Sequence, residues 1–165
     1  MSGESDANEA AVDFVLVAYR EEGVWQLEEL DVECVADLDT FLHELRRWPG
    51  DGGALGLASF DEDFFLLARV QGERSALLLS DVTAATDWPI AHDVVEHLDL
   101  PVPDDEDDQE PAGDLGIVAD LGMGAMDMGA LLDDLDLYPD ELLGDIATAL
   151  GFGSLYDEVV GVSAG

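Results

Sequence analysis

Two short stretches near the start of the chain are rich in β-branched and aromatic residues and flank a glycine turn. Residues 12–19 (VDFVLVAY) and 24–31 (VWQLEELD) lie on either side of REEG, a pattern typical of a β-hairpin. Apolar residues then recur every three or four positions, which predicts a helix that ends before Pro49. The members of this helical stripe are Val35, Leu38, Phe41, Leu42, Leu45 and Trp48.

Three further apolar stretches, at residues 54–60, 64–71 and 74–82, are separated by short polar turns. This spacing predicts an antiparallel meander of three strands. Within it, Phe64–Ala68 and Ala76–Leu79 are almost continuously apolar. Continuous apolar runs are typical of strands that are covered on both faces, or at least half-shielded from water.

A second helix is predicted after the meander. Asp87 is suited to its N-cap and Pro89 to its first turn, and its apolar face would comprise Ile90, Val94, Val95 and Leu98. The predicted order is ββαβββα, a five-stranded antiparallel sheet with helices packed on it, which is an α+β architecture. This order resembles the longin and roadblock folds, which often serve as interaction platforms, although a fold alone does not establish a function.

Composition divides the chain into four predicted parts. Residues 1–11 are an acidic, disordered N-terminus, and residues 12–100 form the sheet domain. Residues 101–113 form an acidic, proline-rich linker, in which like charges repel one another. Residues 114–165 form a helical C-terminal module with predicted helices at about 126–135, from Pro139 to the glycine at 151, and after Ser154.

The net charge restricts the classes of partner that this fold is expected to bind. The chain carries 40 carboxylates against five arginines and no lysine, a net charge of −35, and no Lys or Arg follows Arg74. Direct binding of nucleic acid depends on basic side chains that displace counterions from phosphates, so we expect none. A basic protein partner would be attracted. Adaptation to high internal salt, or genome composition, would also explain the acidity, and both alternatives stay open.

Other features restrict the class of protein further. No apolar run approaches the ~20 residues of a membrane span, and no signal peptide is recognisable at the acidic N-terminus. A single cysteine, Cys34, excludes an intramolecular disulfide framework, and the acids around it would raise its pKa. We predict a cytoplasmic protein that does not bind membranes.

The candidate catalytic and ligand-binding motifs are weak. His92 and Glu96, and likewise Asp93 and His97, are spaced i,i+4, but His92 and His97 point about 140° apart on a helix. We interpret these pairs as surface ion pairs and predict no metal site. The glycine-rich segment 121–129 lacks the spacing of a phosphate loop, and its methionines would serve core packing or an adaptable docking surface. We expect no cofactor and no catalytic residues.

Three segments together resemble a small actinobacterial family, the tRNA adenosine deaminase-associated proteins: LLLSDVTAATDWPIAHDVVEHLDLP (77–101), GDLGIVADLGM (113–123) and DLYPDELLGDIATALGFG (136–153). The resemblance covers most of the chain and implies an association with the enzyme that converts the wobble adenosine of tRNA to inosine. A zinc deaminase needs H-x-E and P-C-x-x-C motifs. Here His43 is followed directly by Glu44 and Cys34 stands alone, so the chain is not itself the deaminase.

The resulting hypothesis is a non-catalytic acidic accessory protein that binds a basic partner, the tRNA adenosine deaminase. The alternatives are a salt-adapted scaffold of unrelated role that self-associates, for instance as a homodimer, and, least favoured, an enzyme that uses Mg²⁺ or Ca²⁺ on its carboxylates. The side chains predicted to contact the partner are Asp87, Trp88, His92, Tyr138, Asp140 and Glu141.

Overall fold

The computed structural model describes residues 12–48, 53–60, 64–72, 74–86, 88–100, 111–133 and 138–164. The predicted disordered N-terminus and most of the predicted linker lie outside these residues. Nowhere in the described segments is there a helix with the length and apolar character needed to cross a membrane.

The centre of the fold is one antiparallel sheet of six strands in the order β2-β1-β3-β4-β5-β6. The α+β class and the antiparallel sheet are therefore confirmed. The strands are β1 (Val12–Glu21), β2 (Val24–Glu29), β3 (Ala54–Phe60), β4 (Phe64–Gln71), β5 (Arg74–Leu79) and β6 (Ala112–Gly113).

The prediction of five strands is wrong, because β6 lies within the stretch that we predicted as linker. Ala112 and Gly113 pair with Leu79 and Leu78, and Ala112 is buried. Gly113 has φ +116, and a Cβ on it would meet the Leu77 carbonyl oxygen. Two residues are too few to show a hydrophobic period, which is why the sequence pattern did not reveal this strand.

One face of the sheet is covered by α1 (Leu38–Leu45) and α2 (Pro89–His97), together with 3₁₀ turns at Val32–Val35 and Val82–Thr86. The start of α1 is capped by Asp37, whose side chain accepts a hydrogen bond from the Thr40 N–H at 2.8 Å. Helix α1 comes so close to β3 that a Cβ on Gly56 would lie 2.5 Å from Phe41 Cζ. A glycine is needed at this crossing because any side chain would overlap the helix.

The opposite face is covered by α3 (Ala125–Leu132), α4 (Pro139–Leu150) and α5 (Gly153–Ala164), with a 3₁₀ turn at Ala119–Leu121. Helix α4 ends at Gly151, which adopts the left-handed conformation with φ +107. Pro139 begins it and acids occupy its first turn, as the sequence pattern predicts.

The sheet therefore has a hydrophobic core on each side. Along β4, Phe64 and Leu66 face α1 and α2, whereas Phe65 and Leu67 face the C-terminal helices. The interpretation of the apolar runs as doubly covered strands is confirmed for this strand. Each fully buried Leu or Phe side chain contributes about 1.5–3 kcal/mol relative to an exposed one.

Two long-range polar contacts tie the chain beyond β6 to the rest of the sheet. The Trp25 Nε1–H of β2 donates to the Leu150 carbonyl oxygen at the end of α4, at 3.0 Å. The buried Arg69 guanidinium of β4 donates to the Ile117 carbonyl oxygen at 3.0 Å and to both carboxylate oxygens of Asp120. Residues beyond the sixth strand are thus held to the sheet by hydrogen bonds as well as by a shared core.

Candidate interaction surfaces

The predicted partner-binding residues lie on opposite sides of the sheet. Trp88 and His92 belong to α2 and its N-cap, whereas Tyr138, Asp140 and Glu141 begin α4 on the other face. Asp87 lies outside the described residues. The structure therefore separates the predicted set into an α2 surface (Trp88, His92 and their neighbours) and an α4 surface (Tyr138, Asp140, Glu141).

On the α2 surface, Trp88 packs mainly inward. Its ring meets Phe60 and Phe64 edge-on, with centroid distances of 5.2 and 5.6 Å, and its side chain is half-buried. Its backbone carbonyl accepts a hydrogen bond from the His92 N–H at 3.0 Å. Most of the aromatic surface of Trp88 thus stabilises the junction of α2 with the sheet and is not available to a partner.

His92 lies one turn further along α2 and is partly exposed. Its Nδ1 is 3.3 Å from Glu96 Oε1, so the predicted i,i+4 contact between these two side chains is present. The neighbouring Asp93 accepts a hydrogen bond from the Leu38 N–H at the start of α1, at 3.3 Å. The contact joins residues 55 positions apart, and no local pattern indicates it.

A surface cavity of about 370 Å³ opens between the start of α1 and the end of α2. Its polar lining is almost wholly anionic, because it is formed by Asp37, Asp39, Asp93, Glu96 and His97 together with Leu38. The sequence places Asp37 and Asp39 at a helix start, but it does not show that they face α2.

On the α4 surface, the backbone is fixed by two hydrogen bonds. The Tyr138 N–H donates to Glu141 Oε1 at 3.1 Å, and the Tyr156 hydroxyl donates to the Asp140 carbonyl oxygen at 2.6 Å. Burial, followed by the charges of Asp140 and Asp157, raises the pKa of Tyr156 well above its usual value. Tyr156 therefore stays a neutral donor that anchors the first turn of α4.

Within the described segments, four large apolar side chains are exposed: Val24, Leu100, Met126 and Tyr138. Met126 is 90% exposed and Tyr138 is 54% exposed, whereas Met123 and Met128 are buried. The methionines of the glycine-rich segment thus divide between the two roles that the sequence left open. Two serve the core, and Met126 presents an adaptable apolar side chain to solvent.

All five arginines lie toward one end of the sheet. Tyr19, Ala54, Val70 and Ser75 form one row across four strands, and Arg20 and Arg74 stand next to the two ends of this row. Three inter-strand spacings put the Cα atoms of these two arginines about 14–15 Å from each other. Arg46 and Arg47 follow α1 next to Trp48, which packs on Tyr19, and Arg69 lies nearby on β4. Glu21 and Glu22 share this end, so its charge is mixed.

The opposite end of the sheet holds carboxylates without arginines in the part of the chain that the structure describes. Asp13 is the second residue of β1, Glu29 ends β2, and Asp81 follows β5. The start of α1, with Asp37 and Asp39, adds to them. The described surface is therefore polarised, with an anionic end and a mixed end that contains the cations.

The cysteine is not a site of reactivity. Cys34 is buried in the core beneath α1, and this burial, aided by Glu44 and Asp31, raises the pKa of its thiol to about 12. A thiol of this kind is protonated at neutral pH and is a poor nucleophile and metal ligand.

Comparisons with known proteins identify a family model and a relative that match this chain. Residues 13–153 match the family model described as Rv3753c-like tRNA adenosine deaminase-associated protein. The chain is 37% identical over 150 residues to Protein Rv3753c of Mycobacterium tuberculosis, an alignment that covers 89% of this chain and 87% of that protein. No solved structure matches the chain. The matched range runs from β1 to the start of α5, and the chain therefore belongs to the Rv3753c-like tRNA adenosine deaminase-associated protein family.

Proposed function

We propose that this protein is a non-catalytic accessory protein that binds the tRNA adenosine deaminase and regulates its access to tRNA. The observation that carries the proposal is the combination of family membership with a net charge of −35. An enzyme that binds tRNA must present basic side chains to the phosphates. A folded polyanion of this size is a natural competitor for such a surface.

Charge alone would give fast but unselective encounters, because long-range attraction mainly increases the association rate. Short-range selectivity needs apolar anchors that lose water on binding. On the α4 side, Tyr138 offers such a side chain next to Asp140 and Glu141, and Met126 offers another next to Asp127. The α4 surface, supplemented by Met126, is therefore our preferred contact for the deaminase.

The uneven distribution of charge between the two ends of the sheet also predicts how this protein is oriented in the complex. A basic partner is attracted most strongly to the anionic end of the sheet and least to the end that carries Arg20, Arg46, Arg47 and Arg74. In the proposed complex, the arginine-bearing end consequently points away from the basic surface of the deaminase.

The decisive experiment measures binding of the purified deaminase to this protein, with and without tRNA, over a range of KCl concentrations. We expect a complex that weakens as salt rises and that tRNA displaces. A ternary complex without competition would contradict the proposed control of tRNA access but not the accessory role. Salt-independent homodimers with no affinity for the deaminase would instead support the self-associating scaffold.

A further inference from the structure

The α2 surface contains a second cluster of side chains that the proposed function does not use. His92, Asp93 and Glu96 can each offer one ligand atom such that all three atoms lie within 4.8 Å of one another. His92 and Asp93 are partly buried and Glu96 is exposed. In the part of the chain described, this is the one group of histidine, cysteine or carboxylate side chains that converges so closely.

From this convergence, we propose that His92, Asp93 and Glu96 form a binding site for a single divalent transition-metal ion. Metal–ligand bonds of about 2.0–2.2 Å place neighbouring tetrahedral ligands about 3.3–3.6 Å apart. The 3.3 Å between His92 Nδ1 and Glu96 Oε1 fits this spacing. All three ligand atoms lie within 4.8 Å of one another, so a displacement of about 1 Å brings the third to ligand spacing.

The surroundings of the three residues favour a cation. The cavity between α1 and α2 includes Asp93 and Glu96 in its wall and adds Asp37, Asp39 and His97. Through this cavity an ion can reach the three side chains, and the added residues can serve as further metal ligands. The Leu38 N–H donates to Asp93, and a hydrogen bond of this kind orients a ligating carboxylate in metal sites.

The imidazole distinguishes this site from the other acidic stretches of the chain. Carboxylates alone suit Mg²⁺ and Ca²⁺, which prefer oxygen, whereas a nitrogen ligand selects ions such as Zn²⁺ or Co²⁺. His92 and His97 diverge on the helix, so they cannot share one ion. The structure instead groups one histidine with two carboxylates of the same helix.

The test is calorimetric titration of the full chain with Zn²⁺, in physiological KCl and a large excess of Mg²⁺. We expect one ion per chain. His92→Ala and Glu96→Gln should each weaken Zn²⁺ binding at least about tenfold, since even indirect partners of a metal contribute this much. The matched controls are His43→Ala on α1 and Glu158→Gln on α5, both exposed, and they should bind as the parent protein does.

Three results would overturn the proposal: no Zn²⁺ binding, several ions per chain that Mg²⁺ displaces, or a His92→Ala variant that binds as the parent does. The first would leave His92 and Glu96 as an ion pair only. Because the titration contains no deaminase, its outcome is independent of whether the accessory role holds. Circular dichroism of each variant verifies that the fold is intact.

Discussion

Single residues decide how closely the elements of this fold can approach one another. Gly56 sits where α1 crosses β3, and the nearest atoms to a Cβ there would be Phe41 Cζ at 2.5 Å and Leu45 Cδ1 at 2.9 Å. Both neighbours are fully buried. Neither side chain can move aside without disturbing the core, so the site tolerates no additional atom.

We expect Gly56→Ala to lower the free energy of unfolding by about 1–3 kcal/mol, which is the usual cost of overpacking a core. The melting temperature would fall by about 2–4 °C for each kcal/mol lost. Gly124→Ala is the matched control, because a Cβ on Gly124 meets nothing within 4 Å. Equal melting temperatures for the two variants would contradict the close approach of α1.

Arg69 is a second residue with a large effect. It is 5% exposed and bonds both Ile117 and Asp120. Arg69→Met would leave the Ile117 carbonyl oxygen without this donor and cost about 1–3 kcal/mol of unfolding free energy. Asp120 is largely exposed, so water would partly replace the hydrogen bonds that its carboxylate loses with Arg69. Urea denaturation of the parent protein and the variant measures the difference.

The same contact predicts a pH dependence. The hydrogen bond and charge of Arg69 lower the pKa of Asp120 below its usual value. A carboxylate with a lowered folded-state pKa contributes stability above its unfolded-state pKa and loses it as the pH falls through the folded-state value. The stability difference between the parent protein and Asp120→Asn should therefore be constant near neutral pH and shrink under acid conditions. A difference that grows on acidification would contradict the pairing.

At the scale of elements, the predictable parts are those with a clear period or a local capping signal. The helices Leu38–Leu45 and Pro139–Leu150 follow from spacing and turn chemistry. Of the stripe predicted for the first helix, Val35 lies instead in a separate 3₁₀ turn and Trp48 follows the helix. The double covering of β4 follows from its unbroken apolar run. What escaped prediction is the two-residue strand β6, which is too short to have a period.

The candidate surfaces were predictable only in their local parts. The His92–Glu96 pair follows from i,i+4 spacing on one helix. The grouping of Asp93 with the start of α1 depends on the packing of elements that are distant in sequence. The opposite placement of Trp88 and Tyr138 also depends on which face of the sheet each helix covers, and no local pattern encodes that choice.

The α4 surface carries the prediction for partner binding. Met126→Ala combined with Tyr138→Ala removes two exposed apolar side chains while leaving the Tyr138 N–H in place to bond Glu141. We expect the dissociation constant for the deaminase to rise about tenfold or more, as for truncation of interface anchors. Surface plasmon resonance with the immobilised deaminase measures this change.

Val24→Ala serves as the control for that experiment. Val24 is also apolar and 59% exposed, but it lies in the hairpin at the arginine-bearing end. Its truncation should leave binding unchanged. A weaker complex with Val24→Ala and an unchanged one with the double variant would place the contact at the other end of the sheet.

At the scale of the whole molecule, like-charge repulsion dominates the electrostatics. With 40 carboxylates and five arginines, the folded state concentrates charge that the unfolded chain spreads out. Salt screens this repulsion, since the Debye length falls from about 10 Å at 0.1 M to about 3 Å at 1 M ionic strength.

Added KCl should therefore raise the melting temperature over this range of ionic strength. Differential scanning calorimetry is the measurement, and sucrose at equal osmolality is the control for solute effects without charge. A melting temperature that falls or stays constant in KCl would show that repulsion between the carboxylates does not limit stability.

The double covering of the sheet also has a consequence for mutational tolerance. In a sheet with one wet face, every second strand position accepts polar replacements. Here all seven residues of β3 and the first seven of β4 are buried. Polar replacements are therefore excluded from both of the alternating sets of positions along these strands. Saturation mutagenesis should give unbroken blocks of intolerance along these two strands, and adaptive change would be confined to the helices, the loops and the outer strands.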